Sequence, residues 1–332
     1  MKCIVQGMQV TNIQEVYFNP GLKYEVTRFM IKKIISLSLG SSSRDMSIKA
    51  NFGVHTFDIQ RIGMDGSLER LTAEIGKYAA DADIITLGGI DINLAFTRKK
   101  YIFRDVANIL KHYPNIRIVD GERFKEWCEP LFFKKIFEKG LLPNDANVLL
   151  PLAANRIPLI KSMIEVGYTR FVFGDFIYDI GFPAIPIKKL ETYEAIGYLV
   201  APIITRLPFH WIYPVGEKQE CQKIKRPDLL EKAEVIAGDF HNIHIYLPLN
   251  LSGKTIVTNT VTPSDINMMK ERRLKYLVTL SPSFEGRTFG SNVMDGVITC
   301  YLAETGGSFI KDDYLNAAMQ LGIQPEIRRF SE

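Results

Sequence analysis

The stretch VLLPLAANRIPLIKSMIEVGYTRFVFGD, residues 148–175, decides the fold class of this chain. Its first four residues have the composition of a buried strand, and the apolar spacing over residues 157–166 predicts a helix. A second apolar run over residues 170–173 predicts the next strand, which ends at Gly174 and Asp175. A strand, a helix and a strand in this order form a βαβ unit with parallel strands, so the stretch predicts an α/β fold.

The same alternation of strand and helix patterns extends outward in both directions. It predicts two α/β domains with parallel sheets, the second of them Rossmann-like. The turn formers GLLPNDAN mark the boundary between them. The expected parts are an N-terminal extension over residues 1–33, a first α/β domain on the substrate side over 34–145, a cofactor-binding domain over 146–290, and C-terminal helices over 291–332.

The spacing of apolar residues places individual elements within these parts. Strands are predicted over residues 34–39, 55–61, 84–87, 116–119, 234–237, 255–259 and 276–280. Helices are predicted over residues 22–33, 68–80, 103–112, 188–205, 291–304 and 312–321. The sequence leaves open whether the C-terminal helices pack on either domain or on a second subunit.

Composition excludes several classes of protein. With 332 residues the chain has the length of two domains at roughly 150 residues each. Hydrophobic residues make up 46%, which excludes disordered and fibrous chains. The net charge of +4 is too small for the dense basic face that nucleic acid requires, and the most apolar stretch, residues 197–214, is interrupted by Arg206 and His210. We therefore expect no nucleic-acid partner and no membrane span.

The cysteines and the N-terminus predict the compartment. The four cysteines, Cys3, Cys128, Cys221 and Cys300, are far apart and form no C-x-x-C motif, so neither a disulfide framework nor a zinc site is predicted. The N-terminal segment MKCIVQGMQVTNIQEVY lacks the apolar core of a signal peptide. Both features predict a cytoplasmic protein with reduced thiols.

Small or polar residues follow each predicted strand of the second domain, which is where ligands bind in a parallel sheet. The cofactor-binding residues predicted from these loops are Ala153, Ala154, Asn155, Gly174, Asp175, Gly238, Asp239, Asn259, Thr260 and Thr262.

The first of these loops, LAANRIP over residues 152–158, indicates which cofactor to expect. A dinucleotide site places G-x-G-x-x-G here, so that backbone N–H groups reach the pyrophosphate. No glycine occupies this loop, and Pro158 removes a donor. A cofactor with a ribose but no pyrophosphate fits better, and S-adenosylmethionine is such a cofactor. Asp175 has the position of a ribose-binding carboxylate, with a helix or turn cap as its structural alternative and Asp239 as a second candidate.

Two loops of the first domain, SSSRD over residues 41–45 and GGID over 88–91, also follow strands. An arginine among hydroxyls suits a carboxylate or phenolate oxygen, and the alternative is a hydrated loop in which Arg44 pairs with Asp45. The segment FEGRTFGSN, residues 284–292, can close over a ligand. The substrate-binding residues predicted from these loops are Arg44, Ser42, Gly89, Asp91, Arg287 and Asn292.

Motifs for other chemistries are missing from the sequence. No G-x-S-x-G elbow or Cys/His motif occurs, so a covalent nucleophile is not predicted. His241 and His244 have the spacing of a metal pair, but no carboxylate or thiolate with matching spacing joins them, and no metal is expected.

Seven strings over about residues 34–300 carry a resemblance: SLGSSSRD, QRIGMDG, LGGIDI, LPFHWIYPVGEKQE, AGDFHNIHIYLP, TNTVT and FEGRTFGSNVMDG. Through them the chain resembles a group often labelled quinate 5-dehydrogenase. Within that group it is similar to the HcgC-type S-adenosylmethionine-dependent pyridinol C-methyltransferases of iron-guanylylpyridinol (FeGP) cofactor biosynthesis.

The resemblance implies a homodimer that methylates a 6-carboxymethyl-4-hydroxy-2-pyridinol at the ring carbon between its two oxygens. Ionisation of a ring hydroxyl makes that carbon electron-rich, so the protein mainly aligns the reactants and favours the ionised form. The expected catalytic residues are His241 and Ser41, with Arg44 as a further polar group and Thr260, Thr262 or water as lesser options.

Two other functions remain open from the sequence. The dehydrogenase label implies NAD(P)-dependent oxidation of a quinate- or shikimate-like substrate, which the glycine-free loop disfavours. A ligand-binding protein without catalysis is compatible with the same residues, and a measurement of turnover would distinguish it.

Overall fold

The computed structural model describes residues 31–178, 186–208 and 226–330. The strands are β1 (Lys32–Ser38), β2 (Met46–Phe52), β3 (His55–Gly63), β4 (Ile84–Gly88), β5 (Asn93–Ala95), β6 (Lys100–Ile102), β7 (Ile118–Val119), β8 (Asn147–Leu150), β9 (Arg170–Phe173), β10 (Val235–Ala237), β11 (Thr255–Thr258), β12 (Tyr276–Thr279), β13 (Ser283–Phe284), β14 (Arg287–Thr288) and β15 (Glu326–Arg329).

Helices connect most of the parallel strands. They are α1 (Leu68–Tyr78), α2 (Arg104–Leu110), α3 (Glu129–Phe137), α4 (Ile157–Glu165), α5 (Asp175–Tyr178), α6 (Leu190–Ile204), α7 (Pro227–Lys232), α8 (Phe240–Ile243), α9 (Pro263–Glu271), α10 (Ser291–Thr305) and α11 (Lys311–Gln320). A π-helical turn, Phe124–Cys128, leads directly into α3.

The first sheet has the strand order β2-β3-β1-β4-β7. Strands β3, β1, β4 and β7 are parallel, and β2 is antiparallel to β3 at one edge. Strand β1 is buried over Ile34 to Ser38 because helices cover both faces of a parallel sheet, which explains its unbroken apolar run. The half-exposed β2 has no such run, and the sequence did not predict it.

The second sheet has the order β9-β8-β10-β11-β12-β15, and all its strands except the edge strand β15 are parallel. The chain moves from β8 to β9 on one side and then to β10 on the other side of β8. The strand order therefore reverses between β8 and β10, the place where doubly wound sheets form a ligand crevice. The predicted α/β fold with two sheets of parallel strands is confirmed, with an antiparallel strand added at one edge of each.

The C-terminal part of the chain contacts both sheets. Helix α10 packs on the first sheet, where a Cβ added at Gly296 would lie 2.6 Å from the Thr86 methyl group and 3.4 Å from Ile34. Strand β15 then pairs with β12 of the second sheet. The first sheet is therefore covered by a helix that lies more than two hundred residues further along the chain.

One predicted helix is wrong where the structure describes it. The helix expected over residues 22–33 lies mostly outside the described residues, but Lys32 and Lys33 belong to β1, where they pair with Phe57 and Asp58 of β3. No helix within the described ranges combines the length and apolar character needed to cross a membrane.

Candidate functional site

The loops at the carboxyl ends of the two sheets contact each other. Arg44, which follows β1, donates from Nη2 to the Thr260 carbonyl oxygen at 3.0 Å and pairs with Asp265 at 3.2 Å. Asn155, which follows β8, donates to the Asn93 carbonyl oxygen at 3.0 Å and accepts from the Ala95 N–H at 2.7 Å. These contacts form a cleft between the two sheets, and of the predicted site residues Asp91 and Asn155 line its cavity.

His241 lies in this cleft, in the short helix α8 after β10. Its ring is partly buried and has no hydrogen-bond partner among the residues that the structure describes. Burial lowers the pKa of His241 to about 4; Asp239 opposes the shift, and the positive charge of Arg44 adds to it. The imidazole is therefore neutral at physiological pH and has a nitrogen free to accept a proton or a hydrogen bond.

Asp239 is held by a chain of buried charges. Its carboxylate contacts Arg156, which is 3% exposed, and Arg156 Nη1 lies 2.5 Å from Oε2 of the fully buried Glu129. Burial alone would raise the pKa of Asp239, but Arg156 and Lys125 hold it well below its usual range. The chain of charges fixes the loop after β10 to the start of α3.

The other carboxylate oxygen of Glu129 continues this network. Oε1 accepts from the Asn259 amide at 2.8 Å and from the Ser291 hydroxyl at 2.6 Å. Asn259 also accepts from the Leu280 N–H at 3.1 Å. Asn259 is thus bound within the protein, and its predicted cofactor contact stays a prediction.

Lys125 was not predicted, although it lines the cavity in the cleft. It belongs to the π-helical turn, and its Nζ is 2.5 Å from Oδ1 of Asp91. The two side chains line a cavity of about 30 Å³ together with Asp120 and Asn155. A cavity of this size has room for about one water molecule.

Asp120 is a further carboxyl group that lines this cavity. Its carboxylate accepts from the Ile92 N–H at 2.7 Å and the Glu122 N–H at 3.1 Å. Burial, with a further contribution from the negative charge of Asp91, raises the pKa of Asp120 to about 6. Asp120 is therefore a carboxyl group that titrates close to neutrality.

Asp175 faces its own sheet rather than the first sheet. Its carboxylate accepts from the N–H groups of Ala153 and Ala154 at 3.0 Å each and from the Tyr193 hydroxyl at 3.0 Å. Burial raises the pKa of Asp175, and these hydrogen bonds oppose the shift. Asp175 thus caps the first loop, which was the structural alternative, and its ribose contact stays a prediction.

Other predicted cofactor residues also satisfy the ends of their own elements. Thr262 and Asp265 form a reciprocal cap at the N-terminus of α9. Gly174 donates its N–H to the Leu150 carbonyl oxygen, and Gly238 and Thr260 both adopt positive φ angles. These contacts shape the loops, and direct contacts to a cofactor remain predictions.

The serine-rich loop of the first sheet differs from its structural alternative. Arg44 does not pair with Asp45; it crosses to Asp265, and Asp45 pairs with Arg61 at 2.9 Å. The alternative of a hydrated loop with an Arg44–Asp45 pair is therefore wrong, because the Asp45 carboxylate contacts Arg61 of β3 and not the Arg44 guanidinium. Burial and the nearby Arg44 and Arg287 lower the pKa of Arg61 to about 10.

The remaining predicted residues lie on the first sheet, in its loops or against it. Ser41 and Ser42 lie on the rim, where the Ser41 hydroxyl bonds Ser43 and the Ser42 N–H bonds Asp65. Gly89 has a φ of +62° in the loop after β4. The Asn292 amide donates inward to Ser36 and Thr86 at 3.0 and 3.1 Å.

Arg287 lies on the hairpin of β13 and β14. Its Nη1 contacts the Met46 sulfur at 2.8 Å, and within the described residues it has no carboxylate partner. A thioether is a weak acceptor, so the guanidinium keeps donors for an anionic ligand. The described residues contain no group of three His, Cys, Asp or Glu side chains placed to bind a metal ion.

Two sheets of mainly parallel strands around a polar cleft define the chain as an α/β protein with its candidate site between the sheets. Residues 123–330 match the family described as domain of unknown function DUF8754; this is more than half of the chain, which therefore belongs to that family. Residues 33–120 match a second domain of unknown function, DUF8753. No curated protein matches the sequence.

Solved structures with a similar course of the chain are distant in sequence. Hetero-hexameric glutamate dehydrogenase from Thermus thermophilus is 8% identical, with 89% of this chain and 74% of that chain covered and a TM-score of 0.42. The periplasmic binding component of the arabinose transporter from Shewanella sp. ANA-3 is 9% identical, with 88% and 95% covered and a TM-score of 0.33. Similarity at this level says nothing about the ligand or the reaction of this chain.

Proposed function

We propose that the chain is an S-adenosylmethionine-dependent C-methyltransferase that acts on a carboxymethyl-4-hydroxy-2-pyridinol precursor of the FeGP cofactor of Hmd hydrogenase. One observation carries the proposal: strings that give the sequence its resemblance to such enzymes meet in the cleft. LGGIDI supplies Asp91, SLGSSSRD supplies Arg44, and AGDFHNIHIYLP supplies Asp239 and His241. Asp239, Arg44 and Asp91 are all close enough to influence the pKa of His241.

The first loop of the second sheet favours S-adenosylmethionine over a nicotinamide dinucleotide. A pyrophosphate needs free backbone N–H groups in this loop. The N–H groups of Ala153 and Ala154 are bonded to the Asp175 carboxylate instead. A pyrophosphate would have to displace these bonds and approach a carboxylate, whereas a cofactor without phosphates has no such conflict.

The acceptor contributes an acidic hydroxyl and a carboxylate, and the cleft has groups for both. Arg287 has donors left for the carboxylate, and Ser41 lies on the same rim. His241 is neutral, and its ring has no hydrogen-bond partner within the described residues, so it can accept the proton that the ring carbon releases after methylation. S-adenosylmethionine supplies the activated methyl group: a carbon–carbon bond forms as the sulfur–methyl bond breaks, and its electron pair goes to sulfur.

The size of the cleft sets a requirement for this function. The cavity of about 30 Å³ beside Lys125 is far smaller than a nucleoside cofactor. The proposal therefore requires the loops around it to separate when the ligands bind. The contacts that would have to break are those of Arg44 with Thr260 and Asp265, and those of Asn155 with the backbone of Asn93 and Ala95.

The proposed function is tested by calorimetric titration of the full chain with S-adenosylhomocysteine, NAD and NADP in parallel. We expect S-adenosylhomocysteine to bind and neither nicotinamide cofactor to give a signal. Micromolar binding of NAD or NADP without binding of S-adenosylhomocysteine would replace the proposal with oxidation of a quinate- or shikimate-like substrate.

Turnover is measured separately, as transfer of a labelled methyl group to the pyridinol. We expect one label per acceptor on a ring carbon. Binding of both ligands without transfer would identify a binding protein rather than an enzyme. Dimer formation, which the resemblance implies, is measured by sedimentation of the same samples.

A further inference from the structure

Lys125 is a largely buried lysine of the cleft, and the proposed function leaves it unused. Its side chain is 12% exposed and lines the small cavity together with Asp91. An ammonium group has three N–H donors. Within the described residues, Nζ has one hydrogen-bond partner, Oδ1 of Asp91. Two donors are thus left for a ligand in the cavity.

We propose that Lys125 is a further catalytic residue. Its ammonium binds the oxygen of a hydroxyl group on the acceptor ring and stabilises that hydroxyl in its ionised form. This inference rests on the proposed function, since it assigns the acceptor hydroxyl to a place in the cleft. The ligand class is a hydroxylated aromatic ring with an acidic hydroxyl group. Asp91, beside Lys125, accepts a hydrogen bond from a neighbouring N–H or O–H group of the same ring.

The charges around Lys125 keep it protonated. Burial alone would lower the pKa of Lys125, but Asp91 and Asp239 overcome this effect and raise it above its usual range, with Asp120 adding and Arg156 opposing. Asp91 comes from the first sheet and Asp239 from the second. The ammonium therefore keeps its charge across the physiological range and acts on the ligand by charge, not by proton exchange.

Other polar groups around the cavity are already engaged. The Asn93 amide donates to Glu122 at 2.7 Å, and both oxygens of Asp120 accept backbone N–H groups. The ammonium of Lys125 is the donor that these bonds leave available next to Asp91. A developing negative charge on a ligand oxygen is stabilised most by a fixed positive donor in a site of low water content.

Lys100 provides a matched control. It pairs with Glu122 and Glu126, which also line the cavity, but its own side chain is 48% exposed. Lys100→Met therefore removes a lysine that pairs with two of the acidic residues lining the cavity, without removing a donor that lines the cavity itself. An effect of general charge would be seen in both variants, and an effect of direct contact in Lys125→Met alone.

The test measures ionisation of the bound acceptor rather than turnover. The probe is 6-carboxymethyl-4-hydroxy-2-pyridinol, whose ultraviolet absorbance is followed against pH on the full chain. We expect Lys125→Met to raise the pH midpoint of the bound hydroxyl by about 1–2 units, the usual effect of losing an adjacent opposite charge. Lys125→Arg should restore most of the shift, and Lys100→Met should leave the midpoint within about 0.3 units of wild type.

Folding and the proposed function are monitored separately. S-adenosylhomocysteine binding and circular dichroism report whether Lys125→Met is folded, and the double variant Asp91→Asn/Lys125→Met removes the whole ion pair if the single variant unfolds. An unchanged midpoint in a folded variant, or equal shifts in Lys125→Met and Lys100→Met, would overturn the role of Lys125. So would failure of the pyridinol to bind to wild type. Failure of S-adenosylhomocysteine alone would overturn methyl transfer, while a midpoint shift specific to Lys125 would still support the contact.

Discussion

Asp175 and Asp239 each follow a parallel strand of the same sheet, yet they have opposite surroundings. Asp175 follows β9 at the edge, and its carboxylate turns back to the N–H groups of Ala153 and Ala154. Asp239 follows β10, across the order reversal, and meets Arg156 from the loop after β8. Both carboxylates thus contact the loop after β8, but Asp175 binds its backbone N–H groups and Asp239 binds its arginine.

The largest expected effect comes from removing Arg156, the cation that Asp239 contacts. Arg156→Met leaves Glu129, which is fully buried, and Asp239 without their shared partner. We expect the free energy of unfolding to fall by about 3–5 kcal/mol, because an unpaired buried charge is then left in the core. Urea denaturation measures this.

Arg70→Met is the matched control for Arg156→Met. Arg70 pairs with Asp65 at 3.0 Å, and both side chains are close to half exposed. We expect the free energy of unfolding to fall by less than about 1 kcal/mol, as for other surface ion pairs. Similar losses in the two arginine variants would show that the Asp239–Arg156–Glu129 chain is not a distinct structural unit.

The next largest effect concerns His241, the neighbour of Asp239 in the cleft. His241→Asn should slow methyl transfer by about 10- to 1,000-fold without abolishing it, since it removes one positioned polar contact. His244→Asn is the control, because the His244 ring bonds the Phe240 carbonyl oxygen one turn earlier. Equal losses in the two variants, or complete loss in a His241 variant that binds both ligands, would contradict an accessory role for His241.

Asp175→Ala tests the other side of the comparison. The substitution leaves the N–H groups of Ala153 and Ala154 and the Tyr193 hydroxyl without their acceptor. We expect the free energy of unfolding to fall by about 1.5–3 kcal/mol, as for loss of hydrogen bonds to a charged group. Because the sequence predicts a ribose contact for Asp175, S-adenosylhomocysteine titration of the folded variant is the second measurement.

The smallest effect is the dependence of stability on pH. His241 has a folded pKa of about 4 against an ordinary 6.5, so the unfolded chain binds its proton first. Stability contributed by the neutral ring is present above pH 6.5 and is lost as pH falls towards 4. We expect the free energy of unfolding of His241→Gln to fall less than that of wild type over this range.

Asp120 has the opposite sign and sharpens the same measurement. Its folded pKa is about 6 against an ordinary 3.8, so the folded state binds the proton first and stability falls as pH rises between these values. In His241→Gln the Asp120 trend should therefore be visible, with stability increasing towards acid pH. A variant curve that parallels wild type would show that His241 is not held neutral by the fold.

The fold was predictable where the strands are buried on both faces. Residues 148–150 form an unbroken apolar run because helices cover both sides of β8, and the parallel sheet follows from that. Strand β2 has no such run, because it is an edge strand with alternating exposure. Helix α3 was not predicted; its Pro130 occupies the first turn of the helix, where proline is tolerated.

The site was predictable only in outline. Loops after parallel strands must lie at one end of a sheet, so Asp91 and Arg44 could be placed together, whereas the contact of this end with His241 of the second sheet could not be predicted. Arg156 depends on partners 27 and 83 positions away, which no local pattern encodes. Lys125 follows no long strand, and a π-helical turn sets its direction.

The position of α10 has a consequence for how the chain is made. Asn292 and Gly296 complete the packing of β1 and β4, yet they leave the ribosome long after those strands. One apolar face of the first sheet therefore stays uncovered during synthesis until the parallel strands of the second sheet and α10 have been made. A fragment that stops at residue 122 would expose Ile34 and Ile84 to solvent and should aggregate unless α10 is supplied in trans.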